Sequence, residues 1–136
     1  MAITLDWDLK FEIGHDRIDN EHRIFLGLIR DLSSQAEHDD NPARTDRLIR
    51  EIYKYADFHF LSEENLMEDI NYPYLADHRR HHSVLLSELR DFMVDQRNGS
   101  RNTGEIVEFL FVWFAMHTSQ EDKRITDYLK TNGQGA

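Results

Sequence analysis

The sequence predicts an all-α chain folded as an antiparallel up-down-up-down four-helix bundle with an N-terminal arm packed on it. Three observations predict this. Apolar residues recur at alternating spacings of three and four in four separate stretches, which is the period of one helix face. Short segments rich in Pro, Gly and Asn separate those stretches, and short connections make successive helices antiparallel neighbours. The 136 residues, 40% apolar and including eight Phe, five Tyr and two Trp, suffice for one core and are too few for a second. The expected organisation is a single domain over residues 1–136, with 1–16 as the arm and 17–132 as the four helices.

The arm carries Leu5, Trp7, Phe11 and Ile13, more apolar surface than a solvated tail would hold, so it should pack across the bundle in a purely structural role. In the first helix Ile18, His22, Phe25, Ile29, Leu32 and Ala36 form one seam. It ends in His38-Asp39-Asp40-Asn41-Pro42, where Asn41 suits the N-cap of the next helix and Pro42 its first turn. The second seam runs through Leu48 or Ile49, Ile52, Tyr55 or Ala56, His59, Glu63 and Leu66, and stops near Asn71-Tyr72-Pro73. The third is Leu75, His78, His82, Leu85, Leu89 and Phe92, with Asn98-Gly99 as the stop. The fourth helix begins near Asn102, with Glu105 as a capping-box partner, and continues through Ile106, Leu110, Trp113, His117 and Ile125 to Asn132-Gly133. At 1.5 Å per residue, helices of roughly 20 to 28 residues are about 30 to 42 Å long.

Composition narrows the function. There is no cysteine, which excludes disulfides, thiolate metal sites and thiol catalysis, so any metal must be held by nitrogen and oxygen. Sixteen basic against twenty-six acidic residues give a net charge of −10, which disfavours nucleic acid and anionic membranes as partners. No apolar run approaches the roughly 20 residues of a membrane span, and the first eight residues lack a basic-then-apolar leader; the expected location is the cytoplasm.

The chemistry lies in the seams. A lone core histidine is ordinarily a polar group hydrogen-bonded to a neighbour. Here His59 and Glu63 are four apart, as are His78 and His82, so each pair projects from one face of its helix, while His22 and His117 face the same interior. Five imidazoles and a carboxylate in one core are costly unless metal ions turn their lone pairs into bonds. Asp122, five residues after His117, lies ~140° from it on a regular helix. Either the helix is locally overwound or bulged there, or the aspartate reaches in beside the metal. Seven donors exceed one tetrahedral zinc and suffice for two metal centres. Of the remaining histidines, His81 should face solvent, His38 lies in a polar turn, and His15 suits local capping or a surface contact.

The order of these residues resembles the hemerythrin family over nearly the whole chain: His22, then His59-Phe-Leu-Ser-Glu63, then His78-Arg-Arg-His-His82, then His117-Thr-Ser-Gln-Glu-Asp122, as H, HxxxE, HxxxH, HxxxxD. Trp7, the stretch Ile13 to Asp19, and Tyr72-Pro73 are similar to its bacterial branch; Glu21 departs from it, since Gln often precedes the first ligand there. The resemblance implies two iron ions as cofactor, one bound by His78, His82 and His117 and the other by His22 and His59. It implies Glu63 and Asp122 as bridges, with an oxo or hydroxo bridge between the ions and dioxygen bound at the open position of the two-histidine iron. A histidine-rich site disfavours the highly oxidised iron that splits dioxygen, so reversible binding is expected rather than oxygenation.

By the same resemblance Phe60, Trp113, Phe114 and Thr118 line the dioxygen pocket, Thr118 replacing an apolar residue of oxygen carriers and so able to admit water or donate a hydrogen bond. The expected function is non-enzymatic dioxygen binding for carriage, storage or delivery. The alternative is an oxygen or redox sensor that signals to a protein partner, whose identity the sequence leaves open. Peroxide or nitrogen-oxide chemistry would need a substrate site and proton donor that the sequence does not display.

Overall fold

The structure, a computed structural model, describes residues 5–38 and 41–131. The described residues form helices α1 (Asp16–His38), α2 (Pro42–Asp69), α3 (Leu75–Asn98), α4 (Thr103–Met116) and α5 (Lys123–Thr131), with a π-helical segment, His117–Asp122, between the last two. Together α4, the π segment and α5 make the fourth rod of an up-down-up-down bundle. A short 3₁₀ turn, Leu9–Phe11, precedes α1. None of these helices is long and apolar enough to cross a membrane.

The helix ends follow local chemistry. Asn41 caps α2 by accepting from Arg44 N at 3.1 Å, and Pro42 opens the helix, where no backbone donor is missed. Gly99 ends α3 at φ +71°, a left-handed conformation open to a residue without Cβ, and Ser100 N closes the turn on the Asp95 carbonyl at 2.9 Å. Asn102 caps α4 through Gly104 N at 2.7 Å. The expected reciprocal bond from Glu105 is missing among the described residues, so the cap is one-sided. His15 receives Ile18 N at 3.3 Å on Nδ1 and so caps α1, which starts at Asp16. The predicted stop at Asn132-Gly133, and Asp39 and Asp40 of the first turn, lie outside the described residues.

The seams meet in a core of Phe25, Leu26, Ile29, Leu32, Ile49, Ile52, Ala56, Phe60, Leu85, Leu89, Phe92, Ile106, Leu110 and Phe114, all nearly inaccessible to solvent. In α1 the seam closes on Gln35, also buried, with Ala36 only half-buried. A smaller cluster of Met67, Tyr72 and Ile125 closes the other end. The predicted ligands sit between the two, on each of the last three rods one or two turns from the smaller cluster. Phe11 and Ile13 of the arm are buried, Leu5 and Trp7 pack at their margin, and Thr126 in α5 donates to the Ile13 carbonyl. At Gly14 the chain turns with φ +88° and Asp19 accepts from both Ile13 N (2.7 Å) and Gly14 N (3.2 Å), which locks the arm to the start of α1.

Candidate metal centre

The seven predicted donors converge in the interior, each no more than 5% exposed. They form two groups that share both carboxylates: Glu63, His78, His82, His117 and Asp122 in one, and His22, His59, Glu63 and Asp122 in the other, with ligand atoms within 4.8 Å of one another in each. The helical spacing explains the pairs, since His59 and Glu63, and His78 and His82, are one turn apart on their faces. Asp122 is explained by the π segment. In that geometry the backbone bonds run from i to i+5, so a residue five positions on returns to the same face, and Asp122 Oδ1 lies 3.0 Å from His117 Nε2. Of the two alternatives the sequence allowed, the helix takes the bulge.

Each oxygen of the two carboxylates serves a different group. Glu63 Oε1 lies 3.0 Å from His82 Nε2 and 3.3 Å from His78 Nε2, and Oε2 lies 3.0 Å from His59 Nε2 and 3.2 Å from His22 Nε2. Asp122 Oδ1 faces His78 at 2.9 Å as well as His117, and Oδ2 faces His22 at 3.1 Å. All five imidazoles therefore present Nε2 inward. His117 Nε2 and both Asp122 oxygens are buried without a hydrogen-bond partner: the separations suit ion pairs, but the angles do not make hydrogen bonds. Buried carboxylate oxygens and an imidazole nitrogen left without hydrogen-bond partners where they converge fit a cation.

The electrostatics agree with that fit. Burial pushes the imidazoles of His22 and His78 down, but the facing carboxylates of Asp122 and Glu63 more than reverse it and hold each at about 10. His117 is held at about 9 by the same balance, and His59 is raised against its burial by Glu63 and Glu21. Burial would raise Glu63, yet the surrounding imidazoles, His59 foremost, keep it well below the usual carboxylate range. Asp122 is likewise lowered by His117 and His22 against burial and the nearby Glu63. Protons in this cluster occupy the places that a cation competes for.

Three of the five outward nitrogens are held by groups that the sequence pattern does not single out. His22 Nδ1 meets the Phe11 carbonyl at 3.0 Å, so the arm touches the donor cluster as well as packing on the bundle. His59 Nδ1 meets Glu21 at 2.7 Å and His82 Nδ1 meets Glu64 at 2.8 Å. The adjacency of Glu21 to His22 and of Glu64 to Glu63 was visible, but on a helix adjacent residues point about 100° apart, so neither could be assigned to another helix's histidine from spacing.

The four predicted pocket residues are dispersed around both groups. Phe60 stacks on His82 (ring centroids 3.9 Å) and Trp113 on His117 (4.3 Å), against the three-histidine group. Phe114 meets His22 edge-on at 5.8 Å, within an aromatic wall that also includes Phe25 and Tyr55 beside His59. Thr118 is buried, and its hydroxyl donates to the Phe114 carbonyl at 2.8 Å, so that proton is not free for a ligand. Trp113 also floors a groove of about 790 Å³ between α3 and α4, lined by Val84, Phe109, Val112 and Met116. His81 lies on the rim of that groove with its side chain 48% exposed, as expected of a non-ligand.

A family model described as the hemerythrin HHE cation-binding domain matches residues 13–129. The chain belongs to the hemerythrin family. Among its relatives, the bacteriohemerythrin of Stenotrophomonas maltophilia is 29% identical, over 97% of this chain and 85% of that protein. The bacteriohemerythrin of Clostridium acetobutylicum is 27% identical, over 89% and 98%. A solved hemerythrin mutant structure superposes with a TM-score of 0.84 at 22% identity, over 93% of this chain and 97% of that one, which shows the shared fold.

Proposed function

We propose that this hemerythrin-family chain holds two iron ions and binds dioxygen reversibly, for carriage, storage or delivery rather than catalysis. The observation that carries the reading is the division of both carboxylates, Glu63 and Asp122, one oxygen to each histidine group. Two centres sharing two bridges explain that division; one ion would leave half of these oxygens unused. His78, His82 and His117 would hold one ion, and His22 and His59 the other. When bound, the pair would supply the electrons that a dioxygen ligand draws on.

The chain's own residues set the conditions. Glu21, Glu64 and the Phe11 carbonyl orient three of the rings, and the aromatic wall of Phe25, Phe60 and Phe114 limits water near the donors. Thr118, its hydroxyl turned to its own helix, offers that space a methyl group and an oxygen with its donor already engaged. An ion in the smaller donor group, four residues against five, would have fewer protein ligands and so would be the one to take an added ligand. The test is anaerobic loading with iron(II), metal analysis, then optical spectra before air, in air and after argon. About two irons per chain and a visible band that argon removes are expected. One iron per chain refutes the two-centre reading. Prompt conversion to a ferric spectrum that argon does not reverse refutes carriage and leaves redox sensing by the same site.

A further inference from the structure

The five imidazoles do not have equivalent outer partners. His22 Nδ1 meets a neutral backbone carbonyl, whereas His59 Nδ1 meets the carboxylate of Glu21 at 2.7 Å. Glu21 is itself buried, and its second oxygen accepts from Ser62 Oγ at 3.1 Å and from Arg17 Nε at 3.1 Å. Three donors, one of them a guanidinium, converge on this group, an arrangement that an ionised carboxylate satisfies and a protonated one does not. The Tyr55 hydroxyl donates to the Glu21 carbonyl at 3.2 Å and ties the same residue to α2. Glu64, the other carboxylate behind a ring, is more exposed and shares its charge with the surface residue Arg79.

We propose that Glu21 is a positioning residue that fixes the His59 ring and sets the donor strength of the two-histidine half of the site, with Arg17 tempering it from the solvent side. The inference rests on the two-iron reading above. An imidazole whose outer N–H is hydrogen-bonded to an anion carries more electron density on its inner nitrogen, which tightens metal binding and favours the more oxidised ion. His59 is one of only two histidines in its group, so this strengthening falls on the centre with the fewer nitrogen donors. Arg17 is 64% exposed, and its guanidinium withdraws part of the Glu21 charge while holding the carboxylate in place. A neutral acceptor at position 21 would keep the hydrogen bond and lose the charge.

The experiment compares the full-length protein, Glu21→Gln and Arg17→Met, each loaded anaerobically with iron(II). Iron retention against a chelator and the reduction potential by spectroelectrochemical titration are measured, with circular dichroism to verify helical content. Glu21→Gln is expected to release one of its two irons at roughly 10- to 100-fold lower chelator concentration and to shift the potential positive. Arg17→Met, a surface change that leaves the core intact, is expected to shift the potential negative. Unchanged retention and potential in Glu21→Gln overturn the proposal, as does a positive shift in Arg17→Met. Fewer than two irons in the parent protein would instead overturn the two-iron reading, and the inference with it.

Discussion

Replacing Glu63 with Gln keeps the size of the side chain and removes the charge that both halves of the site share. Glu63 is fully buried and lies 3.0 to 3.3 Å from the inner nitrogens of His22, His59, His78 and His82. The amide has one neutral acceptor in place of two anionic oxygens, and its NH₂ group must face one of the two histidine groups. Removing one partner of a buried charged pair costs about 3–5 kcal/mol, and the metal-free protein should lose stability of that order in urea unfolding at pH 7. On the two-iron proposal, iron after loading should fall from two per chain to one or fewer, because the group that would bridge both ions becomes at best a ligand to one side. His81→Ala is the control: that ring is half exposed and 3.7 Å from Glu121, so iron content should stay unchanged and stability move by no more than about 0.5 kcal/mol. If Glu63→Gln retained two irons with the chelator resistance of the parent and unfolded at the same urea concentration, the shared-carboxylate argument would be wrong.

The metal-free protein should be pH-sensitive in a defined direction. Because His22 and His78 are raised to about 10 and His117 to about 9, their stabilisation is complete below the unfolded value of about 6.5 and is lost as pH rises through 9 to 10. Thermal midpoints at low salt should therefore fall between pH 7 and 10, and a flat profile would contradict the placement of those protons. The same protons compete with metal, so iron(II) affinity measured by chelator competition should increase from pH 6 to 8; no change would show that binding displaces none. Thr118→Val removes a hydroxyl whose proton is engaged by Phe114, whose carbonyl keeps a backbone donor from His117. The rate of ferric conversion in air should then change less than tenfold, about 1.4 kcal/mol of barrier, and a larger slowing in stopped-flow traces would mean that the hydroxyl does reach the ligand space. Phe114→Ala should cost about 3–5 kcal/mol in denaturant unfolding, since the ring is buried among Phe11, Phe25 and His22; a loss below 1 kcal/mol would imply a loosely packed wall.

The four rods, their caps at Asn41 and Asn102, the stop at Gly99 and the seven interior donors can all be read from the sequence alone. These are legible because helical periodicity is local: residues four apart share a face whatever the chain packs against, so His59 with Glu63 and His78 with His82 announce themselves. Asp122 was legible as a candidate and not as a position, since the π segment that turns it toward His117 is a backbone choice with no spacing signature of its own. Which oxygen of Glu63 and Asp122 serves which histidines emerges from the packed bundle, and from nothing in the sequence pattern. The same packing puts Glu21 behind His59 and lets the Phe11 carbonyl orient His22. Those contacts join groups 38 and 11 residues apart in the chain. Their formation depends on how helices and arm are rotated and offset against one another, which the packing of the whole core sets and no local pattern encodes.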